Sequence, residues 1–160
     1  MRADNVTIPP APASLFRKAC MLTLNTVLIW LHVVGNITWI GAILAVAAVL
    51  TGAAGDARTR GEIGLRVYNH LAVPAFIVSF VCGATRLALD TSYYLVQSHW
   101  MHPKLPAALV VIGLHHVLGA RARKMAQGKV QEAGPAAKIA AVLALMAAAA
   151  AFFAIVKLPR

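Results

Sequence analysis

Apolar residues in this chain neither alternate nor recur along a single helical stripe; they fill four long runs separated by short polar or charged stretches. Runs of that kind read as helices apolar on every side, the pattern of segments buried in a large core or in a bilayer. The first extends from about Met21 to Leu50 and is ended by Gly52, Gly55 and the charged group Asp56, Arg58, Arg60 and Glu62. The second covers about Arg66 to Tyr94, with Pro74 inside it, and the third about Pro103 to Ala120. A basic loop follows (Arg121, Arg123, Lys124, Lys129), and Pro135 opens an alanine-rich fourth run, 136–156. Crossing a bilayer as a helix takes roughly 17–25 apolar residues. The first run exceeds that length, so it tilts or projects. Residues 1–20, with Pro9, Pro10 and Pro12, read as a polar arm, and 21–160 as one membrane domain. The fold class predicted is all-α: an integral membrane bundle of four transmembrane helices.

Composition strengthens this reading. Hydrophobic residues make up 60% of the chain and charged ones 12%, too few for the surface of a soluble domain of this size. Abundant alanine suits close helix packing in lipid, where small residues let backbones approach. The formal charge is +10, from 15 Lys+Arg against 5 Asp+Glu. In a soluble protein that excess would point to nucleic acid, but here the basic residues sit mostly between apolar runs, with no basic stripe interleaved with aromatics. Membrane lipids with anionic headgroups are therefore the expected partner, and nucleic acid is not. Cys20 and Cys82 have no CxxC spacing and read as free thiols. Of the basic residues outside the runs, Arg2, Arg17, Lys18, Lys157 and Arg160 lie on the side of the termini. Arg58, Arg60, Arg66, Arg121, Arg123, Lys124, Lys129 and Lys138 lie on the other, which favours termini outside the cytoplasm.

Ionisable residues inside spans are expensive, so each is a functional hypothesis. In the first span His32, Asn36 and Trp39 fall on one helix face. The third carries Lys104 and His115 on a common face, with His116 rotated by about 100°. The second carries His70 near one end and Arg86 and Asp90, spaced to pair along the helix, near the other. The first and third spans run in the same direction, so His32 and His115 could share a depth and serve as axial ligands of a haem. Arg86 and Lys104 would then hold its propionates, or those of a tetrapyrrole substrate. Each residue also has a plainer reading: the histidines as helix–helix hydrogen-bond partners or interfacial groups, Lys104 as a snorkelling side chain, Arg86–Asp90 as a structural pair. His99 and His102 sit in the loop before the third span, where surface or metal exposure is the default, and Tyr93, Tyr94 and Trp100 suit an interfacial aromatic belt.

Three motifs together resemble one family, the HemJ-type bacterial protoporphyrinogen IX oxidases, which are related to CopD-like membrane domains. Leu31-His32-Val33-Val34-Gly35, with Trp39 and Gly41 beyond, is similar to the family's LHxxG…W…G segment. Pro74-Ala75-Phe76 with Gly83 is similar to its PAM…G helix. Trp100-Met101-His102-Pro103-Lys104-Leu105 followed by His115-His116 is similar to its WLHxKL…HH segment. The closing Val156-Lys157-Leu158-Pro159 is faintly similar to a terminal VKP. The resemblance covers about residues 27–124. It implies a haem-b enzyme of the bacterial inner (cytoplasmic) membrane that oxidises protoporphyrinogen IX and passes electrons to the respiratory chain through quinone. It assigns His32 to haem ligation, Lys104 to the family's functionally important lysine, and His115 or His116 to further ligation or proton acceptance.

The chain departs from that pattern in two places. The family's arginine and histidine late in the first helix correspond to about Ala48 and Ala53, and its Asn-Glu-x-Pro signature has only the differently spaced Glu132…Pro135 as counterpart. Two further readings therefore stand beside the enzyme. One is a non-catalytic haem-binding or accessory subunit of a larger membrane complex or homo-oligomer. The other is a CopD-like copper-handling protein using His99, Met101 and His102.

Overall fold

The computed structural model describes residues 13–97 and 101–156. Their structure is all-α. Helix α1 spans Ala13–Thr51. After a short turn, α2 (Ala57–Val67) passes through a π-helical turn, Tyr68–Ala72, into α3 (Val73–Leu89). A second π-helical turn, Tyr93–Gln97, precedes α4 (Met101–Ala126) and, beyond a loop, α5 (Ala136–Val156). Three stretches are long and apolar enough to cross a membrane: Cys20–Thr51, Ala57–Leu89 and Met101–Ala126; α5 is apolar over Ala136–Ala150.

The helix ends differ from the sequence expectation in ways local chemistry explains. α1 starts at Ala13, inside the predicted arm, just after Pro12, because the residues after the proline cluster are good helix formers. The second helix begins at Ala57, not near Arg66, since Asp56 caps it: its carboxylate accepts from the Thr59 N–H at 2.7 Å. α4 continues to Ala126 because Arg121, Arg123 and Lys124 are helix formers that keep their charges outside the packed face. Gly128, at φ +68°, then closes that helix by donating to the Met125 carbonyl.

Pro74 explains the π-turn. A proline inside a helix removes one backbone donor and crowds the carbonyl four residues back. Here the chain widens by one residue just before it, and the Val73 N–H reaches the Tyr68 carbonyl. The helix continues through the proline, and Tyr68 and Ala72 are turned into the core.

α1 packs along α3 and, further on, against α2 and α5, while α2 packs against α4. The fully buried residues gather at the end of the bundle near the 52–56 and 127–135 loops: Trp39, Ile43, Val46 and Leu50 on α1, Leu118, Ala122 and Met125 on α4, Ile139 and Leu143 on α5. Gly61 sits so close to Met125 and Ala126 that a Cβ there would overlap the α4 backbone. Among the described residues, no side chain of α1 before Gly35 is fully buried. The outer faces are apolar, with Ile37, Leu109 and Leu145 each about 70% exposed. An apolar coat of that kind is matched by hydrocarbon and not by water.

Candidate functional site

The one-face spacing of His32, Asn36 and Trp39 places these residues at two successive levels of the bundle interior. At the first, His32 lies between α1 and α3. Its Nδ1–H donates to the Ser79 carbonyl at 2.7 Å, and its Nε2 accepts from the Asn36 side-chain amide at 3.1 Å. A carbonyl can only accept, so in the neutral imidazole the proton is on Nδ1 and the lone pair on Nε2. The buried Ser79 hydroxyl is 3.3 Å from the same Nδ1. Gly83 gives the ring its seat: a Cβ there would stand 2.7 Å from His32 Cε1. Gly35 lets α1 approach Ser79 in the same way.

At the second level, one turn-pair deeper, His115 is 1% exposed. Trp39 Nε1–H donates to its Nδ1 at 3.1 Å, and Tyr68 Oη lies 3.0 Å from its Nε2. Since indole only donates, the proton is on Nε2 and is given to the tyrosine oxygen. Phe76 stacks obliquely at 5.3 Å between ring centroids, and Tyr68 lies alongside at 4.6 Å. Tyr68 reaches this position from the π-turn and needs Gly119 beneath it, because a Cβ on that residue would overlap the phenol ring.

The two histidines do not share a depth. His115 meets Trp39, seven residues beyond His32 on α1, a rise of about 10 Å. Both of its nitrogens are bonded to side chains of the bundle, so His115 is held as a hydrogen-bond hub. His116 is exposed, edge-on to Phe76, and lies about 18 Å along α4 from Lys104. Lys104 and His116 therefore stand at different levels of α4.

Lys104, on the exposed flank of α4, and the half-buried Arg86 are both within electrostatic reach of His32 and of each other. Arg86 does not pair with Asp90. It donates to the Tyr94 hydroxyl, with its guanidinium 5.5 Å from that ring centroid. The Asp90 carboxylate instead accepts from the Tyr93 N–H at 3.2 Å. On the α1–α3 seam an apolar cleft of about 260 Å³ opens beside Gly35, between Leu31, Val34 and Pro74, with His70 on its wall.

For the surface copper reading, His99 lies outside the described residues, as do Trp100 and the Lys157–Pro159 tail. Met101 is buried, and His102 is bonded to the Leu95 carbonyl at 3.1 Å. No group of three or more His, Cys, Asp or Glu side chains with metal-holding geometry occurs among the described residues. Cys20 and Cys82 are free thiols, the first exposed and the second buried.

Tyr68, Ser79 and Gly119 join the site without having stood out in the sequence, whereas Gly83 belongs to the motif of the second span. Signals for them existed: Pro74 inside a helix marks a backbone irregularity, and small residues on facing spans mark close crossings.

Fold and site define an all-α protein with three helical stretches long and apolar enough to cross a membrane, a histidine–aromatic interior, and Arg86 and Lys104 near His32. Comparison with protein-family models, with curated proteins and with solved structures finds no match to this chain.

Proposed function

We propose that the chain is a four-span protein of the bacterial cytoplasmic membrane that holds a b-type haem through His32 and acts as an oxidoreductase of the protoporphyrinogen IX oxidase type. The observation that carries this is the tautomer of His32. A ligating histidine characteristically donates its other N–H to a carbonyl or carboxylate, which fixes the ring and makes the free nitrogen more basic. His32 has that arrangement, with Nδ1–H on Ser79 and the Nε2 lone pair covered only by Asn36. A side-chain amide can swing aside by rotation about χ1 and χ2. With both nitrogens of His115 bonded to Trp39 and Tyr68, His32 is the residue that would hold the haem.

The haem would supply the one-electron chemistry, and the chain supplies position and charge. Arg86 and Lys104 would hold carboxylates, whether those of the haem or of a porphyrinogen substrate, since both carry propionates. The apolar cleft beside Gly35 would receive a lipophilic acceptor such as a quinone. Motif residues from three separate segments meet in space: His32 on Gly83, and Trp39 and Phe76 on His115.

An accessory haem subunit is the second reading. It is favoured by Ala48, an exposed residue where the family places an arginine, and by Ala53, exposed in the turn after α1. Absorption spectra of the detergent-purified protein, oxidised and dithionite-reduced, test the haem. A Soret band with sharp reduced α and β bands is expected, lost in His32→Ala and kept in His115→Ala. A folded, colourless wild type would overturn it. Porphyrinogen turnover by the haem-loaded protein separates enzyme from subunit.

A further inference from the structure

Between the last turns of α4 and the start of α5 lies a cavity of about 280 Å³ that belongs to neither histidine level. Leu118, Ala136 and Ile139, all buried, form its floor, Val117 one wall, and Arg121 and Lys124 its rim. The two cations are three residues apart on α4 and so project from neighbouring positions on one face. Val117 and Ile139 lie one turn further toward the middle of the apolar helices. Charge at the rim and hydrocarbon below it is the profile of a membrane amphiphile.

The rim is held in place. Arg121 donates through Nε to the Glu132 carbonyl at 2.9 Å and through Nη2 to the same oxygen. The loop backbone presses on the guanidinium, such that a Cβ at Gly134 would be 3.0 Å from Arg121 Cζ. A carbonyl orients the group without neutralising it, and the remaining N–H groups stay available. The Glu132 carboxylate itself does not pair with it: among the described residues the ion pair present is Arg58–Glu62, far from this groove. The opening therefore carries two positive charges with no carboxylate of the described residues in ion-pair distance.

We propose that this groove binds one anionic phospholipid, its phosphate diester between Arg121 and Lys124 and an acyl chain over Val117 and Ile139. Basic pockets between membrane helices at the headgroup level are the recognised setting for such binding. The proposal is independent of haem.

Native mass spectrometry of the detergent-purified full chain, titrated with phosphatidylglycerol or with phosphatidylcholine of the same acyl chains, tests it. Phosphatidylglycerol is expected to bind roughly tenfold tighter than phosphatidylcholine, and Arg121→Gln or Lys124→Gln to remove roughly that factor. Lys129→Gln, on the loop outside the groove, should bind as wild type does. Ala120→Trp fills the exposed mouth of the groove, keeps both charges and should lose the lipid. It also guards against the case in which Arg121→Gln loosens the 127–135 loop. Inorganic phosphate should not displace the lipid. Equal binding of the two lipids, undiminished binding by Lys124→Gln or Ala120→Trp, or displacement by inorganic phosphate would each overturn the proposal.

Discussion

At the scale of single residues, the two interior histidines divide the work between them. His32 keeps a lone pair behind a movable amide, whereas His115 has given both nitrogens to rigid aromatic partners. Removing His115 leaves the Trp39 N–H without an acceptor, and opens a cavity besides. His115→Ala is therefore expected to lose roughly 2–4 kcal/mol of stability, read as a shifted denaturant midpoint in detergent. Tyr68→Phe removes a hydroxyl alone and should lose about 1 kcal/mol in the same measurement. Neither change should abolish haem uptake, which His32→Ala should. That His32, Asn36 and Trp39 share a face was legible in the sequence, because it follows from 3.6 residues per turn. What they touch was not, because the depth at which α3 and α4 meet α1 depends on crossing geometry and on a π-turn that shifts register by one residue.

At the scale of elements, close approach is set by missing side chains. Gly83→Ala pushes into the His32 ring, and Gly119→Ala into the Tyr68 ring. Overpacking of this kind costs about 1–3 kcal/mol. The glycines are distinguishable by readout, since Gly83→Ala should weaken haem binding and Gly119→Ala should lower thermal stability with haem retained. The cap of α2 supplies a pH dependence. Hydrogen bonds from the Thr59 N–H and hydroxyl hold the Asp56 carboxyl below its ordinary value of 3.8. A group with a depressed folded pKa stabilises above its unfolded value, and that contribution is lost as pH falls through the folded one. The protection factor of the Thr59 amide, corrected for intrinsic exchange, is expected to fall below about pH 4. In Asp56→Asn, which can still accept but cannot titrate, it should stay level. Helix existence was plain from the apolar runs. The ends were less so, because Asp56 capping and the helix-forming basic residues after Ala120 carry helices into stretches that polarity alone marks as loops.

At the scale of the whole molecule, four apolar runs and a charged minority were enough to specify an all-α chain with helices long and apolar enough to cross a membrane. The site was only half visible: residue types and faces could be read, partners could not. α1 measures about 58 Å, nearly twice the hydrocarbon thickness of a bilayer. It cannot lie wholly in lipid, so its exposed first turns, around Arg17 and Lys18, are expected to stay accessible to water-soluble labels in vesicles. Cysteine substitution with an impermeant maleimide would check this.

Burial is concentrated near the two loops, and this makes the bundle mechanically lopsided, like a clothes-peg sprung at one end. The jaws are the stretch of α1 before Gly35, the end of α3 around Arg86 and the first turns of α4, where few side chains are fully enclosed. With few enclosed side chains, this end is expected to open locally at lower cost than the packed end around Ile43, Leu118 and Met125. A guest entering beside His32 would thus meet the compliant end and need not disturb the stiff one. Whatever occupies the jaws should raise hydrogen-exchange protection there while leaving the spring, residues 39–50, unchanged.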